Sequence, residues 1–293
     1  MTEPAGPPPN DELKDRVRDH WNRHVCGSGY GRTGPAGDVD FRLMSDTRYR
    51  LEPYILEVAD FQSGRGRRVL EIGVGGGTDF ENWIRFGAEA TGIDLTEAGV
   101  EMTRRRLRQK GIHEQAYRLF VGDAENLAFP DGSFDIVYSY GVLHHTPNTE
   151  QAFREVFRVL APGGEFRGMV YHVPSVVGFM LWVRYCLLRG QPGRTAKQAI
   201  FEHLESPGTK AYTVDEMRDL LQRTGFVDLD IRPKLSFGDL LLNRPSAKYR
   251  SWVYTVIWRL YPRWLVRLLG DRYGNALLIK ARKGGVLSGV SPR

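Results

Sequence analysis

The sequence predicts a doubly wound α/β fold with a mostly parallel, seven-stranded sheet. Three observations support this prediction. From residue 67 onward, short apolar runs alternate with segments of helical periodicity, which is typical of parallel strands joined by right-handed crossovers. The first strand ends in a glycine cluster, Gly73–Gly77, and Asp94 closes the second strand. In such Rossmann-like sheets, ligands bind at the carboxyl ends of the strands.

The composition narrows the class of protein. The chain has 293 residues, of which 41% are hydrophobic and 26% charged, as expected for a globular protein of one large domain with additions. Cys26 and Cys186 form neither a disulfide framework nor a metal-ligand spacing, so we expect no metal. The first ten residues lack the basic and apolar regions of a signal peptide, which favours a cytoplasmic location. A net charge of +6, with arginines spread along the chain, does not indicate nucleic acid as a partner.

The elements follow from local patterns. Before the sheet we expect a charged helix at 11–24, a glycine-rich loop at 26–38 and a helix at 46–60 with Pro53 in its first turn. Gly111 and the run 162–164 mark helix ends. The predicted strands lie at 68–74, 89–95, 117–122, 134–140, 165–172, 226–232 and 275–282, and the predicted helices of the sheet at 78–87, 97–110, 149–160 and 213–224.

These elements divide the chain into predicted units. Composition predicts disorder at both ends, since the first residues are rich in proline and glycine. The units are a disordered tail at 1–10, an N-terminal helical lid at 11–62, a cofactor-binding core at 63–172, an insertion or substrate cap at 173–210, completion of the core at 211–283 with a helical insertion at 234–274, and a flexible tail at 284–293.

The glycine cluster distinguishes between nucleotide ligands. A dinucleotide fingerprint requires G-x-G-x-x-G, but Thr78 stands where the pattern would need its last glycine. The sequence instead reads E-x-G-x-G-x-G from Glu71 to Gly77. The turn therefore favours an adenosyl group with a charged amino-acid tail over a pyrophosphate, and it argues against a dehydrogenase.

Four segments then carry a family resemblance, and together they cover about half of the chain. They are VLEIGVGGG at 69–77, TGIDLTEAGV at 91–100, GDAENLAFPDGSFDIVYSYGVLHHTPN at 122–148 and REVFRVLAPGGEF at 154–166. In this order and spacing they resemble the class I S-adenosylmethionine-dependent methyltransferases, in particular the ubiquinone and menaquinone methyltransferase branch. The resemblance implies an enzyme that uses S-adenosyl-L-methionine to methylate an oxygen, nitrogen or carbon atom.

The resemblance also implies roles at the cofactor. Asp94 would accept the ribose hydroxyls, Asp123 the adenine amino group, and the backbone NH of Ala124 would meet the ring. Glu71 would lie near the methionine end, and Tyr140 would line the wall against the sulfonium. The predicted cofactor-binding residues are Glu71, Gly73, Gly75, Gly77, Asp94, Leu95, Asp123, Ala124 and Tyr140.

Methyl transfer needs alignment of the nucleophile, exclusion of water and, for some acceptors, a base. The candidate catalytic residues are His145, His144, His172 and Tyr30. The two adjacent histidines have an alternative role in capping or packing the loop. His203 and Glu205 lie in the first insertion and are predicted to face the acceptor. Tyr30, Arg32 or Arg48 would meet the methionine carboxylate if the N-terminal helix covers the cofactor.

The second insertion has an aromatic and basic segment at 249–269. Pro262 is expected to split it into two helices, and Arg259, Arg263 and Arg267 are expected to share one face. The apolar residues expected on the opposite face are Tyr254, Ile257, Trp258, Tyr261, Leu265 and Leu268. Such a segment is either an interfacial helix or a lid helix packed on the sheet.

The predicted acceptor is a small, hydrophobic or natural-product-like molecule. The alternatives are a peptide or protein side chain, and a lipid or quinone methylated by a membrane-associated enzyme with peripheral contact at the inner membrane face. Nucleic acid is disfavoured because the fourth strand is followed by YSYGVLHH rather than a proline-proline motif. A binding module without activity is disfavoured because Glu71, Asp94 and Asp123 are all present. The oligomeric state remains open between monomer and dimer.

Overall fold

A computed structural model describes residues 10–33, 38–242 and 252–284. Its helices are α1 (Asn10–Arg23), α2 (Phe41–Leu51), α3 (Tyr54–Ala59), α4 (Thr78–Arg85), α5 (Glu97–Gln109), α6 (Thr149–Val159), α7 (Val176–Tyr185), α8 (Ala196–His203), α9 (Val214–Thr224), α10 (Trp252–Leu260) and α11 (Arg263–Leu269). Its strands are β1 (Arg32–Thr33), β2 (Asp38–Val39), β3 (Arg68–Ile72), β4 (Glu89–Asp94), β5 (Tyr117–Val121), β6 (Phe134–Tyr140), β7 (Leu160–His172), β8 (Ala211–Tyr212), β9 (Phe226–Lys234) and β10 (Ala276–Lys283).

One main sheet has the strand order β5-β4-β3-β6-β7-β10-β9. The strands from β5 to β7 are parallel, and β10 runs antiparallel to both of its neighbours. The two-residue strand β8 pairs with the end of β7, so the sheet has eight strands where the sequence predicted seven. The doubly wound, mostly parallel fold predicted from the alternation of strands and helices is confirmed.

Helices cover both faces of this sheet. On one face, Phe80 and Trp83 of α4 pack with the strands and with α3 and α5. On the other face, Phe153 of α6 and Met217 of α9 pack in a second cluster. These side chains are at most 1% exposed. Burial on two faces explains why the central strands are almost continuously apolar in sequence.

The predicted helix at 46–60 is two helices. The first, α2, begins at Phe41, where the carboxylate of Asp40 accepts hydrogen bonds from two backbone amides of the first turn. It ends at Leu51, and Pro53 caps α3 instead of lying inside one long helix. The physical reason is that proline lacks the backbone NH and disfavours helical geometry in the residue before it.

Two further boundaries differ from the sequence prediction. Strand β7 begins at Leu160, five residues before the predicted start, because Leu160 pairs with Phe134 through an irregularity in the ladder. The predicted loop at 26–38 contains a short 3-10 helix, Ser28–Tyr30. The predicted tails lie outside the described residues, apart from Asn10 and Gly284.

The segment 252–269 is divided into two helices at Pro262, as predicted. Its basic and apolar side chains, however, are not distributed over two opposite faces as the sequence predicted. Arg263 donates to the backbone carbonyls of Leu241 and Trp258, so it does not share an exposed face with the other arginines. Leu268, on the predicted apolar face, is 76% exposed, so at this position the helix does not pack on the sheet. The helix break at the proline changes the direction of the chain, so a single helical face does not continue across it.

Both insertions leave the sheet at the same edge. Strand β7 ends at His172 before the first insertion, and β9 ends at Lys234 before the second. Ala276, where β10 starts, pairs with both Tyr171 and Lys234. This edge also holds the carboxyl ends of β3, β4 and β6, because these strands are parallel to β7.

Gly168 provides a test of how tightly the central strands pack. A Cβ atom here would lie 2.3 Å from the backbone oxygen of Ser139 on β6, a distance that requires the strands to move apart. We expect Gly168→Ala to lower the free energy of unfolding by about 1–3 kcal/mol, measured by denaturant titration. The control is Gly193→Ala, whose Cβ would meet nothing within 4 Å. Equal stability of the two variants would contradict the expected crowding.

Candidate active site

A cleft of about 1130 Å³, counting the space at its mouth, lies at the carboxyl edge of the sheet. Its floor consists of strand ends and their loops, and its roof consists of α1, α2 and the loop between them. The lining includes every predicted cofactor residue except Gly77. The lining residues from the roof are Lys14, Val17, Trp21, Val25, Cys26, Gly27, Tyr30, Met44 and Arg48.

The glycine turn presents its backbone to the cleft. Gly75 has a φ of +51°, a conformation that side chains disfavour, and its backbone NH donates to Asp94 Oδ2 at 2.9 Å. The backbone NH and the hydroxyl of Thr96 donate to Oδ1 at 3.0 and 2.7 Å. A carboxylate can accept about four hydrogen bonds, so Asp94 keeps acceptor capacity for a ligand. Burial raises its pKa despite these bonds.

Glu71 is the most unusual group in the cleft. Its side chain is buried, and among the described residues Oε2 has no hydrogen-bond partner. Burial raises the pKa of Glu71 far above its ordinary value, and the negative charge of Asp79 adds to the shift. An unpaired buried carboxyl group is stabilised by a cation or a donor in the cleft. The site therefore fits a positively charged ligand.

Arg48 and Asp79 join the roof to the floor. The Arg48 guanidinium donates to both carboxylate oxygens of Asp79, at 3.2 and 2.7 Å, and the hydroxyls of Tyr49 and Tyr138 donate to it at 2.9 Å. Burial acts to raise the pKa of Asp79, but the charge and hydrogen bonds of Arg48 outweigh it and leave the pKa lowered. Arg48 lines the cleft, as its predicted role at the methionine carboxylate requires.

Tyr140 lines the wall of the cleft beside this pair. The guanidinium of Arg48 stacks over its ring, 5.2 Å from the centroid, and its hydroxyl donates to Glu52 Oε1 at 3.1 Å. Glu52 is 6% exposed, and burial raises its pKa. Glu52 and Asp79 were not predicted, and their positions in the sequence carry no motif that would have revealed them.

Lys14 is a third unpredicted residue of the site, at the opposite end. Its Nζ lies 2.7 Å from Asp123 Oδ2 and 2.7 Å from Glu125 Oε2. Burial opposes the charge of Lys14, but the bonds to Asp123 and Glu125 raise its pKa overall. The backbone NH of Glu125 donates to the other oxygen of Asp123. The predicted adenine acceptor is thus bound to the roof helix α1.

The loop after α1 lies directly against the glycine turn. A Cβ atom on Gly75 would lie 3.2 Å from the Cβ of Cys26, and one on Gly76 would lie 3.3 Å from its backbone oxygen. The Cys26 side chain is exposed and lines the cleft, and desolvation by the surrounding protein atoms raises its pKa to about 12. This cysteine is a neutral thiol at physiological pH, so it is a poor nucleophile.

Two of the predicted catalytic residues, His145 and Tyr30, line the cleft. The Nδ1 atom of His145 lies 2.8 Å from Ser206 Oγ and 3.1 Å from Thr209 Oγ1. The Thr209 hydroxyl donates to the backbone oxygen of Ser206, so toward His145 it can only accept. This arrangement favours a proton on Nδ1 and a lone pair on Nε2. Nε2 has no hydrogen-bond partner among the described residues.

Glu205 faces that free nitrogen. Its Oε2 lies 3.5 Å from His145 Nε2, which is a contact rather than a hydrogen bond. Burial opposes its charge, but His145 and Tyr171 lower its pKa overall. Glu205 has a φ of +54°, a strained conformation for a residue with a side chain. Such strain is concentrated at functional sites.

Three other histidines do not reach the cleft, which corrects the sequence prediction. His144 is fully buried with its ring against Tyr171, and burial lowers its pKa far below the ordinary value. His172 bonds through Nδ1 to the backbone oxygen of Gly274, on the side of β10. His203 stacks on Tyr185. The sequence placed these residues at the right edge of the sheet but could not give the direction of each side chain.

The described residues contain no group of three or more His, Cys, Asp or Glu side chains arranged to hold a metal ion. No helix within them combines the length and apolar character that a membrane crossing requires.

The chain is similar in sequence to known methyltransferases. Residues 70–167 match the family described as a methyltransferase domain. The chain is 31% identical over 182 residues to a demethylmenaquinone methyltransferase of Tropheryma whipplei, covering 61% of this chain and 74% of that protein. It is 41% identical over 104 residues to a phthiotriol/phenolphthiotriol dimycocerosates methyltransferase of Mycobacterium tuberculosis, covering 34% and 36%.

A solved structure extends the likeness in fold to nearly the whole chain. The geranyl diphosphate C-methyltransferase of Streptomyces coelicolor, in complex with S-adenosyl-L-homocysteine, superposes with a TM-score of 0.61 at 20% identity. The superposition covers 94% of this chain and 100% of that one.

Proposed function

Because the chain belongs to the class I S-adenosylmethionine-dependent methyltransferases, we propose that it methylates a small acceptor with an extended apolar part. The protein is an enzyme, and S-adenosyl-L-methionine is its methyl donor. When bound, the donor supplies a methyl group activated by the positive charge on sulfur. We propose both the identity of the acceptor and the roles of the individual residues.

The lining of the cleft supports an assignment of the donor-binding residues. Asp94 keeps acceptor capacity for the ribose hydroxyls, and Asp123 can accept a further bond beside Lys14. The unpaired oxygen of Glu71 fits a cationic group, and Arg48 lies where a carboxylate can be bound. We propose that the segment 11–62 covers this site as a lid, because its Lys14 and Arg48 both bind floor residues.

We base the proposed acceptor on the apolar character of the cleft beside His145. Trp21 packs edge-on against the His145 ring at 5.3 Å, and Tyr30 and Val142 line the same cleft. The relatives named above are a demethylmenaquinone methyltransferase and a phthiotriol dimycocerosates methyltransferase, whose names denote hydrophobic acceptors. We therefore propose a lipid-like acceptor reached from a membrane surface. One chain supplies every residue of the proposed site, so a monomer suffices.

We propose that His145 Nε2 receives the proton that the acceptor loses. The acceptor atom would bond to the methyl carbon while the methyl–sulfur bond breaks and its electron pair stays on sulfur. The proton of the acceptor atom would move to Nε2, and the carboxylate of Glu205 would stabilise the imidazolium that forms. Ser206 and Thr209 hold Nδ1 and so fix the direction of Nε2. Proton acceptance by a positioned side chain contributes about 10²–10⁴-fold to rate.

The test of the function is to identify the methylated product. The enzyme and a deuterium-labelled methyl donor are incubated with separate cell fractions: an organic extract, aqueous metabolites and total protein. We expect label in low-mass molecules of the organic extract, detected by mass spectrometry. The His145→Asn variant serves as the control for background methylation. Label confined to the protein or aqueous fraction would overturn the proposed acceptor.

Glu71 gives a prediction about donor binding. Burial raises the pKa of Glu71 and so favours its protonated form in the empty cleft, whereas a bound cation favours its ionised form. We expect binding of S-adenosyl-L-methionine to release up to one proton per molecule. The measurement is calorimetry in buffers of different ionisation enthalpy. The release is expected to vanish in Glu71→Gln, and an unchanged release in that variant would assign it to another group.

A further inference from the structure

We propose that the two helical insertions form a docking face for the surface of an anionic lipid bilayer. The face, which we call the basic aromatic face, has two parts. The first is α7 with the turn after it, and the second is α10 with α11. Its exposed apolar side chains are Phe179, Leu187, Leu188, Trp252, Leu260, Trp264, Leu268 and Leu269, and its exposed arginines include Arg189, Arg259 and Arg267.

Apolar exposure is concentrated in these insertions. Of the sixteen exposed large apolar side chains in the described part of the chain, eleven belong to the ranges 173–210 and 234–274. Trp252, Trp264 and Leu268 are 79%, 70% and 76% exposed. Soluble proteins rarely expose large apolar side chains in such groups without a binding partner. Tryptophan is the residue type enriched at membrane interfaces.

The charges of the same segments are nearly all positive. From Val173 to Phe201 the sequence has three arginines and one lysine and no acidic residue, although Arg194 and Lys197 are paired with Glu202 and Glu216. Between Trp252 and Gly274 it has four arginines and one acid, Asp271, which is paired with Lys234. Basic side chains beside an apolar surface bind anionic headgroups, with about 1 kcal/mol for each arginine near the membrane.

The two parts of the face are held next to each other. The backbone NH of Val177, at the start of α7, donates to the carboxylate of Asp239 at 3.1 Å. The Tyr261 hydroxyl, at the end of α10, donates to the backbone oxygen of the same Asp239 at 2.7 Å. Asp239 is fully buried. A single buried residue therefore anchors both insertions on the sheet.

The face is also connected to the active-site cleft. Both insertions leave the sheet at the edge where the cleft lies. Phe237 of the second insertion packs edge-on against Tyr30 of the cleft, with ring centroids 6.5 Å apart. A bilayer bound at this face would lie beside the site at which we propose a lipid-like acceptor is methylated. Docking itself requires no methyl transfer, so it is independent of the proposed acceptor.

Charge distinguishes a bilayer from a second copy of the chain. In a symmetric dimer the same surface faces itself, so arginines would lie opposite arginines without acids to balance them. An anionic bilayer supplies the opposite charge and takes up the tryptophan and leucine side chains. The described part of the face has the features of an interfacial helix and lacks those of a self-complementary patch.

The test is co-sedimentation of the full chain with vesicles, without methyl donor or acceptor. Vesicles of phosphatidylcholine alone are compared with vesicles containing phosphatidylglycerol, at low and high salt. We expect binding to the anionic vesicles at low salt, weakened by high salt. Replacing Arg259 and Arg267 with glutamine should weaken binding about 30-fold, from about 1 kcal/mol for each charge.

Apolar contact is tested by the double variant Trp264→Ser with Leu268→Ser, which is expected to abolish sedimentation. The matched control is Leu56→Ser, because Leu56 is 50% exposed on α3. Thermal unfolding verifies that each variant is folded. The proposal fails if the wild type does not sediment, or if Leu56→Ser weakens binding as much. It also fails if ultracentrifugation shows that the wild type is a dimer and that the double variant only dissociates this dimer. A second copy of the chain would then cover the face.

Discussion

Replacing Arg48 with methionine is expected to lower the free energy of unfolding by about 3–5 kcal/mol. Arg48 is a cation that faces three buried acids. Asp79 lies at hydrogen-bond distance and Glu52 at 4.0 Å. The third acid is Glu71, for which burial raises the pKa and the charge of Arg48 partly offsets that rise. Methionine fills similar space but leaves these carboxyl groups without that compensating charge. Denaturant unfolding followed by circular dichroism measures the loss.

The control is Arg42→Met on the same helix. Arg42 is 85% exposed and lies 3.9 Å from Asp46, so its removal should change stability by less than about 0.5 kcal/mol. The sign of the pH dependence gives a second check. The pKa of Asp79 is lowered in the folded state, so its contribution is present above 3.8 and is lost as the pH falls through the folded value. A stability difference that grows on acidification would contradict the assigned pair.

Replacing His145 with asparagine is expected to lower kcat by about 10²–10⁴-fold. Asparagine retains a polar group that can bond Ser206 and Thr209, so the loop should keep its position. It provides no lone-pair nitrogen in the place of Nε2. The KM for the methyl donor should change little, because the assigned donor-binding residues lie elsewhere in the cleft. Steady-state kinetics with the identified acceptor measures both constants.

The Glu205→Gln variant tests whether Glu205 assists the proposed base His145 or only supports the loop. Without the carboxylate, the imidazolium that forms during the transfer loses a stabilising partner, so kcat should fall while the KM for the methyl donor stays nearly unchanged. The control is His203→Asn, because His203 stacks on Tyr185 outside the cleft lining. A kcat unchanged by Glu205→Gln would remove Glu205 from the mechanism and leave it a structural role.

The sequence predicted the order of the strands along the chain and their common edge because both follow from patterns within short windows. Strand β6, for example, has the predicted bounds Phe134–Tyr140. The sequence did not reveal β8, since two residues carry no period. It also missed the division between α2 and α3, where apolar residues continue at helical spacing across Pro53 and conceal the break.

The site was predicted only as far as its residues follow strand ends. Asp94 and Asp123 were identified because each closes a strand, and their position at one edge follows from parallel topology. Lys14 and Glu52 were missed, because they meet their partners Asp123 and Tyr140 across 109 and 88 residues of sequence. Only tertiary packing brings such residues together, and no local spacing records it.

Helix α1 contacts both ends of the cleft. Lys14 is bound to Asp123 at one end, and Trp21 packs against His145 at the other, two turns further along the same helix. Since a helix moves nearly as a rigid rod, it cannot lift from one end without disturbing the other. We therefore expect the two ends of the cleft to open and close together in each turnover.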